Sequence, residues 1–239
     1  MTLTNPLPFS TDAGSLLRLL ATVIVALAIP VLLTSSAVRS VTLNESFYAR
    51  EFAKYGVGQV TGFSDEELAQ VARIFISYFQ SEPTRLDARV SRGTGSIELF
   101  NEREIQHMLD VHGLMQRVFQ AGWIAFAALL LGCLVIVGSD ANTSVHALLR
   151  AAAIGGASTA VLVAVVAVGS LLAFERLFFA FHYSSFSNDL WLLDPARDRL
   201  IQLFPTGFFY DAALQIGLRS GGLGAVMALV GVAGIRIVR

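Results

Sequence analysis

ERLFFAFHYSSFSNDLWLLDPARDRLIQLFPTGFFYD, residues 175–211, is a polar and aromatic interlude between two long apolar segments. It holds His182, one of four histidines in the chain, among Tyr183, Asn188, Asp189, Trp191 and Asp194. A tether between membrane helices needs no such set. One reading makes the aromatics an interfacial belt, because Trp and Tyr favour headgroup depth, with the histidine merely packed among them. The other makes the stretch the seat of chemistry.

The rest of the chain fits a membrane protein. It is 54% hydrophobic and 15% charged, with a mean hydropathy of +0.63, more apolar surface than one soluble core needs. A formal net charge of -1 gives no basis for binding nucleic acid. Cys133 is the single cysteine, so no intramolecular disulfide and no cysteine-based metal site is available.

Apolar runs at Leu16–Val38, Val118–Gly138, Leu148–Phe174 and Phe208–Val238 give four transmembrane helices. Ser35-Ser36-Ala37 offers small residues for signal-peptide cleavage, but the first run is long enough to cross the hydrocarbon core and reads as a retained anchor. The expected division is a cytoplasmic N-terminus and first span (1–38), an extracytoplasmic domain (39–117), two spans with their cytoplasmic loop (118–174), an extracytoplasmic histidine-bearing loop (175–211), and a last span with a cytoplasmic C-terminus (212–239). Arg18, Arg150, Arg236 and Arg239 fall on the inner side, in weak agreement with the positive-inside rule.

Residues 39–117 read as a small, mainly helical domain with a short β-hairpin. Asn44 is placed to cap a helix through Lys54, ended by Gly56 and Gly58. Ser64 and Glu67 form a capping box that opens a helix with Leu68, Val71, Ala72, Phe75 and Phe79 on its apolar face, and Pro83 stops it. Short alternating pieces around Leu86–Val90 and Ser96–Phe100 flank Arg92-Gly93-Thr94-Gly95, as a hairpin would. Asn101, with Glu104 in the box position, then caps a helix that feeds the second span.

That last helix carries the second candidate site. His107 has Glu104 at i−3 and Asp110 at i+3, and Asp110 is the better partner because Glu104 is occupied by its capping role. Arg103, at i−4, competes for the same carboxylates. An exposed helix with mixed charges is the plain alternative, and it suits His112. His107 and His182 fall on the same expected face of the membrane, where a bundle can join them. No HExxH pattern, phosphate loop, dinucleotide fingerprint or Gly-x-Ser-x-Gly elbow occurs, so neither metal nor nucleotide is expected. Arg219, inside the fourth span, either faces a cavity beneath His182, where it can hold an ester carbonyl or a headgroup, or snorkels to the interface. Gly217, Gly221 and Gly224 indicate close helix packing nearby.

Two patches resemble the bacterial lipoprotein intramolecular transacylases (Lit). They are Glu104-x-x-His107-Met108-x-Asp110-Val111, and Phe181-His182-x-x-x-Phe186-x-Asn188-Asp189-x-Trp191-x-x-Asp194-Pro195 followed by Leu200-Ile201 and Pro205-x-x-Phe208-Phe209. The resemblance implies one essential histidine in each patch, His107 and His182. It implies diacylated bacterial lipoproteins as substrates and membrane lipids as surroundings, with no cofactor. The implied reaction moves the sn-2 acyl chain of the diacylglyceryl group to the α-amino group of the N-terminal cysteine, at the outer leaflet of the cytoplasmic membrane.

On this reading His182 is the general base and His107, with Asp110, shuttles the proton or polarises the ester, although the two histidines can exchange roles. Asn188, Asp189, Trp191, Asp194, Tyr183 and Arg219 would contact substrate or shape the loop around it. Asp194-Pro195 reads as a helix N-cap followed by a first-turn proline. The alternatives are a noncatalytic membrane sensor or lipoprotein chaperone, and a lipid ester hydrolase using the same pair to activate water.

Overall fold

The computed structural model describes residues 13–82, 85–139 and 141–238. Pro83, the expected helix stop, and Arg239, one of the inner-side arginines, lie outside the described residues. In chain order the elements are α1 (Ala13–Thr42), α2 (Glu45–Lys54), α3 (Val57–Thr61), α4 (Asp65–Gln80), β1 (Arg89–Arg92), β2 (Gly95–Glu98), α5 (Glu102–Ser139), α6 (Ala141–Ser185), α7 (Arg199–Leu203) and α8 (Thr206–Ile237).

Four of these, α1, α5, α6 and α8, are long and apolar enough to cross a membrane. Their outward side chains are those a bilayer solvates, such as Leu171 and Leu172, which are 71% and 80% exposed. Lipid offers no hydrophobic gain for joining helices, so close backbone approach has to do it. Glycines supply that approach. A Cβ on Gly122 would meet Ser35 and one on Gly132 would meet Val25 and Ala21, so α1 and α5 run antiparallel. Gly217 and Gly221 lie against Val163, Gly224 against Thr159 and Gly231 against Ala153, so α6 and α8 do the same.

Gly156→Ala is expected to be destabilising. The new Cβ would lie 2.4 Å from the Gly224 carbonyl oxygen and 2.6 Å from the Ala228 nitrogen, backbone atoms that cannot rotate aside. Overpacking of this kind costs about 1–3 kcal/mol, which exceeds the roughly 1 kcal/mol of helix propensity that alanine adds. Gly222→Ala meets nothing within 4 Å and keeps that propensity gain. Thermal melting of the solubilised variants should therefore show Gly156→Ala below wild type and Gly222→Ala at or above it.

At one end of the bundle sits the domain, and its local punctuation is largely as read from the sequence. The Asn44 side chain accepts from the Phe47 amide, and Ser64 and Glu67 form the reciprocal box. Leu68, Val71, Ala72, Phe75 and Phe79 are all buried. Gly56 (φ 61°) ends α2, but Gly58, expected to help end it, lies inside α3, which Gly62 (φ 69°) closes instead. A left-handed φ is what a helix stop requires, and Gly58 does not adopt it. The hairpin pairs Arg89 with Glu98 and Arg92 with Gly95, with Gly93 at φ 60° in its turn. Arg92 reaches α4, where its guanidinium donates to both oxygens of Glu67 at 2.6 and 3.0 Å.

The long loop does not merely span two helices. Leu200, Leu203, Phe204 and Phe208 enter the same core as Phe47, Phe52 and Phe75, with Phe204 4.6 Å from Phe75 ring to ring. Domain and loop are thus one body. At the start of α8, Asp211 accepts from Lys54 at 2.5 Å and Tyr55 at 2.6 Å, which ties α2 to the bundle.

Candidate active site

The site begins with the cap of α5. The Asn101 amide donates to Glu104 Oε2 at 2.7 Å, and the Glu104 amide donates to the Asn101 side chain at 3.0 Å. The other Glu104 oxygen accepts from the Leu200 amide at 2.7 Å, fastening α7 onto α5. A turn later along α5 comes His107, 6% exposed.

His182 arrives from the other side. The helical backbone of α6 is interrupted at Ala173 (φ −159°, ψ 52°), where the third apolar run ends, and a second helical stretch continues to Ser185. That stretch carries His182, 8% exposed, to 6.2 Å from His107 between ring centroids, with the rings inclined by 32°. Both histidines lie beyond the apolar runs 118–138 and 148–174.

Aromatic rings enclose the pair. Phe178 lies 4.2 Å, Trp191 5.0 Å and Phe181 5.3 Å from His182, while Phe186 packs against both histidines. His182 Nδ1 lies 2.7 Å from the Phe178 carbonyl oxygen. A carbonyl only accepts, so Nδ1 carries the proton and Nε2 is left with a free lone pair. His107 Nδ1 is buried without a hydrogen-bond partner. Burial, reinforced by the neighbouring His182 and opposed by Asp110, holds the His107 pKa down to about 4. Burial also lowers that of His182, against the Phe178 hydrogen bond, which raises it. Near neutral pH both rings are neutral and able to accept a proton.

This shift has a consequence for stability. Because the unfolded His107 takes its proton near pH 6.5 and the folded one near 4, the unfolded state gains protons first as the pH falls. Stability contributed by the neutral ring is complete above pH 6.5, declines between 6.5 and 4, and levels off below, a loss on the order of 3 kcal/mol. His107→Gln cannot titrate. Its melting temperature is expected to fall less steeply over that window than the wild type's, and an equal slope would remove His107 as the cause.

Asp110 does not hold His107. Its carboxylate accepts from the Asn188 side chain at 2.9 Å, and no hydrogen bond joins it to the histidine. The His107 ring is turned toward His182 and Phe186 instead, so the expected tautomer-fixing contact on one helix gives way to a tie between α5 and the loop. Asn188 also accepts from the Leu190 amide through its side chain and from Trp191 Nε1 through its carbonyl. The Asp189 carbonyl accepts from Arg103 at 2.5 Å, so Arg103 clamps the loop rather than competing for Asp110. Trp191 is buried, with the exposed ring of Tyr183 edge-on against it.

Two other expectations change. Asp194 caps no helix: it heads a turn, accepting from the Ala196 amide, and α7 starts only after Asp198, whose carboxylate joins the Asp194 amide to Asn101. His112 is not exposed; it is completely buried against Tyr78 and Phe79, with Nε2 3.1 Å from the Ser81 carbonyl. Arg219 makes its contacts with Ser40 on α1 and with Gln215 one turn back on α8. Phe178 and Phe186, which shape the histidine pocket, were not singled out as site residues, although Phe178 stands at i−4 from His182, where its carbonyl meets the ring nitrogen.

Fold and site together describe a multi-pass membrane protein with a buried histidine pair at one end of its helix bundle. The chain belongs to the Lipoprotein intramolecular transacylase Lit family, whose model matches residues 23–209, and is therefore an acyltransferase. A similar curated protein is an uncharacterized protein of Aquifex aeolicus (strain VF5), 21% identical over 230 residues, which cover 93% of this chain and 98% of that one. The fold is that of the membrane integral lipoprotein intramolecular transacylase Lit from Bacillus cereus (TM-score 0.76, 18% identity, 92% of this chain and 96% of that one). Two structures of that protein with one histidine replaced match at a TM-score of 0.69 and 19% identity, each over 92% of this chain.

Proposed function

We propose that this protein transfers the sn-2 acyl chain of a diacylglyceryl lipoprotein to the α-amino group of the same molecule's N-terminal cysteine. The product is an N-acyl, S-monoacylglyceryl lipoprotein. The observation that carries the proposal is the buried histidine pair, with His182 Nδ1 pinned to a carbonyl and Nε2 left as a base. Aminolysis needs a neutral amine, and an α-amino group has a pKa of roughly 7.7–8, within reach of a neutral imidazole.

In this mechanism the cysteine nitrogen attacks the ester carbonyl and passes its proton to His182 Nε2. A ring N–H of neutral His107 stabilises the oxyanion. The C–O bond to glycerol then breaks, and His182 returns the proton to the departing glyceryl oxygen, so atoms and charge balance. Amine and ester sit in one molecule, and holding them together replaces an encounter between two. An amide is more stable than an ester, so the transfer runs without ATP. Asp110, Asn188, Asp189, Trp191 and Asp194 set the loop over the pair, Tyr183 stands at its edge, and Arg219 serves the acyl-glyceryl part. The site acts at the outer leaflet of the cytoplasmic membrane, where diacylated lipoproteins and membrane lipids meet it.

Mass spectrometry of a model lipoprotein's N-terminal lipopeptide, from cells with and without the protein, tests this. The expected result is unchanged total mass with one acyl chain on nitrogen. Loss of a chain as free fatty acid would mean hydrolysis instead.

A further inference from the structure

At the domain end of the bundle, α1 and α5 leave between them a groove of about 490 Å³. Its floor is where Gly122 lets Ser35 approach, and its walls are Leu32, Phe119 and Phe126. Arg39 stands at its mouth with the guanidinium over the Phe119 ring, 5.2 Å from the centroid. A guanidinium stacked on a ring face still directs its N–H groups outward in its own plane, where a phosphate can take them. The Ser36 hydroxyl lines the same groove, and Trp123, 65% exposed, marks the wall as amphipathic surface of headgroup depth.

Arg50, Arg73, Arg85, Arg89, Arg92 and Arg197 each pair with a carboxylate. Arg39 keeps its charge free of a carboxylate, as Arg103, Arg117 and Arg219 also do among the described residues, but of these only Arg39 lines the groove. No acidic side chain lines the groove, so it offers nothing to the ammonium of a zwitterionic headgroup. We infer that this groove binds an anionic phospholipid, its phosphate at Arg39 and Ser36 and one acyl chain along Leu32, Phe119 and Phe126. The inference rests on the groove alone and not on the acyl-transfer reading.

Native mass spectrometry of the purified full chain, incubated with phosphatidylglycerol or phosphatidylcholine of the same chain length, tests it. Wild type is expected to retain phosphatidylglycerol about fivefold better, as one arginine near a membrane surface contributes about 1 kcal/mol. Arg39→Gln should abolish that preference, and Arg117→Gln, an exposed position on α5 outside the groove, should keep it. Equal preference in wild type and Arg39→Gln overturns the proposal, as does an equal loss in Arg117→Gln. Displacement of bound phosphatidylglycerol by a diacylated lipopeptide, dependent on Arg39, overturns it too, because the occupant is then the lipoprotein.

Discussion

Replacing His182 with asparagine is expected to lower acyl transfer by roughly 10²–10⁴-fold, the contribution of a positioned general base, while leaving the fold in place. Asparagine is the informative choice. Its side-chain nitrogen can occupy the place of Nδ1 and keep the hydrogen bond to the Phe178 carbonyl, but it has nothing where Nε2 was. Alanine would also empty a pocket shared with Phe178, Phe186 and Trp191, mixing lost chemistry with lost packing. Rates on a synthetic diacylated lipopeptide, beside melting temperatures, separate the two. An asparagine variant with wild-type activity would remove His182 from the role of base.

Glu104→Ala is expected to have the largest effect on folding. The side chain is 1% exposed, and its two oxygens satisfy the Asn101 amide at one end and the Leu200 amide at the other. Truncation leaves both N–H groups without acceptors, at about 1–3 kcal/mol each, and opens a cavity beside them. The sum is a large part of a typical domain's stability. Glu104→Gln has one carbonyl oxygen for two donors and turns an amide N–H toward the other, so it should fall between alanine and wild type. Melting temperature and yield of folded protein report the order. Activity should fall with them, because α7 anchors the loop that holds Asn188 and Trp191 over the histidines.

What was legible in the sequence was what depends on local rules. The four spans follow from apolar length against bilayer thickness, and the caps at Asn44, Ser64 and Asn101 follow from side chains meeting amides three residues away. The two histidines could be named, but their meeting could not, because it depends on the break at Ala173, which no proline or adjacent glycine signals. Asp110 illustrates the same limit. Its neighbour on the helix was the natural partner, and a loop residue far along the chain took its place. From sequence His112 reads as exposed because its own helix is polar there, while α4 and its C-cap supply Tyr78, Phe79 and the Ser81 carbonyl that bury it. The sequence placed α7 in a connecting loop, yet Leu200 and Leu203 close the domain core.

Whether the acyl chain moves within one molecule is decided by a crossover experiment. Two diacylated lipopeptides are mixed with the purified protein, one isotopically heavy in both peptide and sn-2 chain, the other light in both. Transfer within one molecule gives N-acylated products that are heavy in both parts or light in both, at unchanged total mass. Products combining a heavy chain with a light peptide, or labelled free fatty acid in place of N-acyl peptide, would contradict it.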